Sequence, residues 1–158
     1  MGAMFAIFLL GFIDGLRSLT APAIVCWAAH FGWLHFAGTK LAFLEHPVTL
    51  ILVTLLALGE LVADKLPNTP ARTASLGLTA RIVLGAACGA AIAIAKGLSL
   101  PVSAVVACIG AVAGTFAGYN VRHSLVTRAH LPDRAVALGE DLFAILGGLI
   151  LVSHHLQG

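Results

Sequence analysis

Six long stretches of this chain carry no Asp, Glu, Lys or Arg, over residues 1–13, 18–39, 47–59, 82–95, 97–121 and 142–153. A helix needs about 20 predominantly apolar residues to cross the hydrocarbon core of a bilayer. The runs approach that length, and charges at their edges can extend the shorter ones by snorkelling. Such a pattern excludes a water-soluble globular domain. Only 10% of the 158 residues are charged and 59% are apolar, whereas soluble domains carry about 25% charge. Five spans fit best, at about residues 3–34, 47–66, 79–97, 100–123 and 134–154. The expected fold is all-α: a polytopic membrane helix bundle forming a single integral membrane domain over 1–158.

The first of these spans is too long. At 1.5 Å per residue, residues 3–34 would reach roughly 48 Å against a core of about 30 Å. It is therefore tilted, broken or made of two pieces, with Gly11, Gly15 and Pro22 marking where a break is easiest. The N-terminus lacks a basic leader, and Asp14 and Arg17 stand where a cleavage site would be expected, so it reads as retained. Lys65, Arg72 and Arg81 flank the second loop and Arg122, Arg128 and Arg134 the fourth, while only Lys40 and Lys96 lie on the other side. By the positive-inside rule five spans place the N-terminus in the cytoplasm and the C-terminus outside. The loop from Lys65 to Arg72 contains Pro67, Asn68 and Pro70 and reads as exposed.

The tetrapeptide Ala57, Leu58, Gly59, Glu60 recurs as Ala137, Leu138, Gly139, Glu140. Gly11, Gly15 and Arg17 in the first span have loose counterparts in Gly114, Gly118 and Arg122 in the fourth. Two pairs of spans around a central third helix would form an inverted-topology repeat, an arrangement common in transporters.

Asp14, Gly15, Leu16, Arg17 with Thr20, Ala21, Pro22, then Gly59, Glu60 with Asp64, Lys65, Leu66, Pro67, and Gly139, Glu140, Asp141, Leu142 resemble a family of small bacterial membrane proteins known as domain of unknown function, number 4126. The resemblance covers nearly the whole chain. It implies a bacterial cytoplasmic (inner) membrane location and no activity or catalytic residue.

A charge at membrane depth costs about 2.5–3.5 kcal/mol on insertion scales. Asp14, Arg17, Glu60, Asp64, Glu140, Asp141 and Arg122 therefore form the candidate binding or coupling set. Asp14 and Arg17, three apart, could form a local ion pair bracing a helix break. Glu60 and Asp64 repel unless one is protonated or paired with Arg17, Arg81 or Arg122, and Asp64 beside Lys65 reads as interfacial. Glu60 and Glu140 could meet across the repeat axis and share a proton. Equally, they could accept hydrogen bonds from Arg17 and Arg122 and hold the halves together. Gly11 and Gly15, Gly85 and Gly89, and Gly110, Gly114 and Gly118 form small-xxx-small packing ridges, available to a homo-oligomer or used up within one chain.

Cys26, Cys88 and Cys108 lie apart in apolar runs and read as packed thiols. The seven histidines show no metal-ligand spacing, and no cofactor, metal or enzyme signature is present. The few basic residues are scattered, so nucleic acid is not an expected partner. The expected function is a small transporter or channel-like protein for a solute or ion. The alternative is a structural or assembly protein whose buried charges hold the bundle together.

Overall fold

The computed structural model describes residues 2–65 and 73–155. These fold into α1 (Ala3–Leu16), α2 (Thr20–His30), a 3₁₀ turn (Ala42–Glu45), α3 (Pro47–Ala63), α4 (Ser75–Lys96), α5 (Leu100–Thr127) and α6 (Asp133–His155), with no strand among the described residues. Apart from Lys65, the second loop, including Arg72, lies outside them. α4, α5 and α6, with 22, 28 and 23 residues, are long and apolar enough to cross a membrane, while α1 and α3 are shorter apolar helices. Pro47 and Pro101 sit in the first turns of α3 and α5, where their missing N–H has no intrahelical partner to lose. Gly97 ends α4 in the left-handed conformation at φ 62°, which a side chain would oppose.

The expected first span does break, but neither at a glycine nor at Pro22. It opens at Arg17, Ser18 and Leu19, with Arg17 extended at φ −144° and ψ 107°, and the chain turns back on itself there. Residue neighbours establish the reversal. Met4 meets Ser103, Gly11 meets Ala107 and Gly15 meets Ala111 and Thr115, so α1 and α5 run parallel. On the other side of the turn Ser18 meets Glu60 and Trp27 meets Thr54, so α2 runs antiparallel to α3. Ile13 and Ile24, on opposite arms, both stand against Gly148 of α6. Arg17 and Arg122 both reach Asp64, which places the ends of α1, α3 and α5 together. The six helices thus alternate in direction.

Two expectations are corrected by this hairpin. Gly2 and His155 lie at the same end of the bundle, opposite the Arg17 end, so the termini are not on opposite sides and the N-terminus is not beside the arginine-rich loops. Nor do the two Ala-Leu-Gly-Glu strings occupy equivalent places. Residues 57–60 fall near the end of α3 and 137–140 near the start of α6, yet both stand at the Arg17 end. An inverted repeat would put the strings at opposite ends.

Glycine determines how closely α1 approaches its neighbours. A Cβ at Gly11 or Gly15 would strike the carbonyl oxygens of Ala107 or Ala111, and one at Gly110 or Gly114 those of Phe8 or Phe12. Gly85 and Gly89 bring α4 against Ala107, Ala111 and Ser103 in the same way. Gly118 continues the buried face of α5. The ridges are therefore consumed inside one chain, and the expected homo-oligomer loses the surface assigned to it. Around this core the exterior is apolar: Leu52, Leu55 and Val62 on α3, Val105 and Ile109 on α5, and Leu142, Phe143 and Ile150 on α6 are all exposed. Asp14 and Arg17, in contrast, are completely buried. Polar inside and oily outside is the distribution suited to lipid. At the opposite end Trp27, His30, Phe31 and Trp33 form a chain of ring contacts, in keeping with an aromatic belt at a membrane interface. Cys26 and Cys88 are buried and Cys108 half-buried, all as free thiols.

Candidate functional site: a charged turn inside the bundle

A helix that stops inside an apolar bundle leaves backbone groups that water cannot reach, and each must find a partner. The turn between α1 and α2 is satisfied mostly by side chains distant in sequence. Arg17 N–H donates to Ile13 O, and Thr20 N–H to Arg17 O. That leaves the N–H groups of Ser18 and Leu19 facing α3. Glu60 accepts both, at 2.8 Å each, one on each carboxylate oxygen, and Ser18 Oγ donates to the same carboxylate at 2.5 Å. A carboxylate at the start of α2 also meets the positive end of the helix dipole. Glu60 thus acts as a cap supplied by another helix.

Arg17 points the other way, into three carboxylates. Its Nε donates to Asp141 Oδ1 at 2.6 Å, its Nη1 lies 2.9 Å from Asp64 Oδ2, and its Nη2 lies 3.5 Å from Glu140 Oε2. The Nη1 contact is a charge pair without hydrogen-bond alignment. Asp141 also receives Lys65 Nζ at 2.5 Å, and Lys65 donates to Leu61 O at 2.8 Å. Asp64 also receives Arg122 Nη1 at 2.7 Å, and Arg122 spans to Asp133 with two hydrogen bonds of 2.8 Å. Arg81, buried on α4, donates to Gly15 O at 3.1 Å and Gly77 O at 3.0 Å, with Nη2 3.9 Å from Glu60. The planar guanidinium of Arg17 suits this task, since its fixed fork reaches carboxylates on α3 and α6 at once.

The expected residues do converge, but with different pairings. Arg17 does not pair with Asp14. The turn swings its side chain toward α3 and α6, while Asp14 stays within α1 under Gly85, 3.2 Å from where a Cβ there would stand. Glu60 and Asp64 escape mutual repulsion by taking separate partners, Glu60 the turn backbone and Asp64 two arginines. Asp64, at the C-terminal end of α3, bridges Arg17 and Arg122. Glu60 and Glu140 do not bond to each other, and each reaches the turn through different atoms. Lys65, Arg81, Ser18 and Asp133 complete the network without having been among the candidate set. Arg81 had a visible signal, a charge six residues inside a helix, whereas nothing local marks Ser18.

Glu60→Gln keeps the shape but loses the charge, and its amide nitrogen cannot accept one of the two backbone N–H groups. A loss of about 1–2 kcal/mol in stability is expected from weakening such a cap. Thermal unfolding in detergent would register it, and an unchanged midpoint would show that the turn does not depend on this carboxylate.

Interrupted helices, a buried ionic network and an oily exterior define a helical membrane protein whose charges lie inside the bundle. The family described as Domain of unknown function (DUF4126) matches residues 4–157, and the chain belongs to that family. No curated protein and no solved structure matches it.

Proposed function

We propose that this chain is a small transporter or channel-like protein of the bacterial cytoplasmic membrane, acting on a small solute or ion. In this reading α3 to α6 cross the bilayer. The arms of the α1–α2 hairpin, roughly 21 Å and 16 Å long at 1.5 Å per residue, enter from the opposite face and turn back inside. With the arginine-rich end in the cytoplasm, Gly2 and His155 face outward. The interrupted helix carries the proposal. Transporters place discontinuous helices at their binding sites because half-helix N-termini bind anionic groups without water. Here the start of α2 already holds a carboxylate, that of Glu60, with Arg17 and Arg81 close by. A solute bearing a carboxylate or phosphate would compete with Glu60 for the same donors, while Glu140 and Asp141 would hold Arg17 in its absence. Arg122 and Asp64 tie the site to the end of α5.

A structural or assembly role is the second reading. It is favoured by Arg17 being completely buried among three carboxylates, which cross-links the end of α1 to α3 and α6.

Thermal unfolding of the purified protein across a panel of ions, carboxylates, phosphates and lipids separates the two readings, with wild type beside Glu60→Gln and Glu140→Gln. A ligand that binds only the folded state at one hundred times its Kd adds about 2.7 kcal/mol. Transport predicts one class of solute that stabilises wild type and not the variants. If the variants melt lower and no solute acts on any of the three, the structural role stands.

A further inference from the structure

We propose that Asp14 is a proton-binding site: in the packed bundle it is a neutral carboxylic acid, and its ionisation is linked to the charged turn three residues away. Two observations support this. The Asp14 side chain is 0% exposed, and neither of its oxygens accepts a well-formed hydrogen bond among the described residues, the backbone N–H of Gly85 beside it giving only a weak contact. Glu60, Asp64, Glu140 and Asp141, by contrast, all meet cations or N–H donors. An ionised carboxylate removed from water with no well-formed hydrogen bond is costlier than the neutral acid.

The other carboxylates at this end are held by cations: among the described residues Glu60, Asp64, Asp133, Glu140 and Asp141 each pair with Arg17, Lys65, Arg81 or Arg122, and Asp14 forms no ion pair with any of these four. The groups facing it are Glu60 from α3 and Arg81 from α4, with Cys88 of α4 and, beyond that, Cys26 of α2 nearby. Beside Gly85, α5 contributes Ala107 and Ala111, which carry no titratable group. The charged groups of α6, Glu140 and Asp141, are turned to Arg17.

Linkage to the turn follows from Arg81. It donates to the carbonyl of Gly15, the residue after Asp14, and lies 3.9 Å from Glu60. When Asp14 releases its proton, the new carboxylate repels that of Glu60 and competes with it for Arg81, so Glu60, which holds the N–H groups of Ser18 and Leu19, gains a like charge and shares its cation. Proton binding therefore favours the closed turn and proton release loosens it. The site stands whether or not a solute moves. Under the transport reading it supplies the coupling ion.

Infrared spectroscopy of the protein in lipid bilayers tests the site directly, because a protonated carboxyl has a C=O stretching band separate from those of carboxylates. Wild type at neutral pH is expected to show this band and to retain it in Glu60→Gln. Asp14→Asn, an isosteric neutral replacement, is expected to fold and to abolish the band. If that variant fails to fold, wild type carrying carboxyl-¹³C aspartate decides alone. A band displaced by the label identifies a protonated aspartate, and Asp64, Asp133 and Asp141 are already held by cations. The proposal is overturned if wild type lacks the band at neutral pH or if the label leaves it in place. Neither result depends on flux, so the transport reading can fail while the proton site survives.

Discussion

Replacing Arg17 by leucine is expected to destabilise the protein by about 3–5 kcal/mol, the usual loss when one partner of a buried ionic cluster is removed. The cause is what remains. Asp64, Glu140 and Asp141 would then lose the cation they share and face one another across the space the guanidinium had filled. Leucine packs well in an apolar bundle, so the cost comes from like charges brought together without their shared cation rather than from lost contact area. Arg17→Lys should recover only part of the loss, because one ammonium cannot reach carboxylates on α3 and α6 with the geometry of the guanidinium fork. Adding Asp141→Leu and Glu140→Gln to Arg17→Leu should return more stability than the lysine does, since a neutral apolar cluster is often as stable as the ionic one it replaces. The measurement is the unfolding midpoint in mild detergent, read beside the monodisperse fraction on size exclusion. A single variant melting like wild type would mean that the turn holds without its cation.

The second large effect is expected at the α1–α5 contact. Gly114→Ala would place a methyl group on the Phe12 carbonyl oxygen, and Gly11→Ala one on that of Ala107. Both obstacles are backbone atoms, which cannot rotate away as a side-chain tip can, so the two helices must separate along their length. A cost of about 1–3 kcal/mol each is expected for overpacking of this kind. Gly139→Ala and Gly147→Ala provide the comparison. Nothing lies within 4 Å of a Cβ at either position, the first exposed and the second half-buried, and alanine in a helix interior with room for its methyl group should be neutral or stabilising by about 0.5–1 kcal/mol. If Gly114→Ala and Gly139→Ala melt together, α1 and α5 do not approach each other as closely as described.

Much of the fold is legible in the sequence because hydropathy is a local property that sums along the chain. The runs starting at Pro47, Ile82, Gly97 and Leu142 fall within or overlap the helices observed, and the excess length of the first expected span, 3–34, signals a break. Residues that would terminate or divide a helix in water are weaker guides here. Pro22 sits harmlessly in the first turn of α2, and Gly11 and Gly15 are packing surfaces within α1. The break itself falls on Arg17, Ser18 and Leu19, none of them a strong local breaker. It persists because Glu60, 42 residues from Ser18, and Asp141, 124 residues from Arg17, satisfy what the interruption exposes.

The candidate site divides along the same line. Intramembrane charge is conspicuous in any apolar sequence, so Asp14, Arg17, Glu60, Asp64, Arg122, Glu140 and Asp141 were identifiable one by one. Their pairing was not. The three-residue spacing of Asp14 and Arg17 suggests a local ion pair, yet the extended backbone at Arg17 sends the two side chains to different neighbours. The repeated Ala-Leu-Gly-Glu strings suggest two-fold symmetry, yet direction reversal at the hairpin brings both to one end of the bundle. The sequence by itself determined an all-helical chain with an apolar exterior and charges that must be hidden, since transfer to lipid is decided residue by residue. Only the tertiary structure decided where the chain turns, which carboxylate meets which cation, and that Asp14, among the described residues, is the carboxylate without a well-formed hydrogen bond. Those outcomes depend on distances between groups up to 124 residues apart, and no local sum contains them.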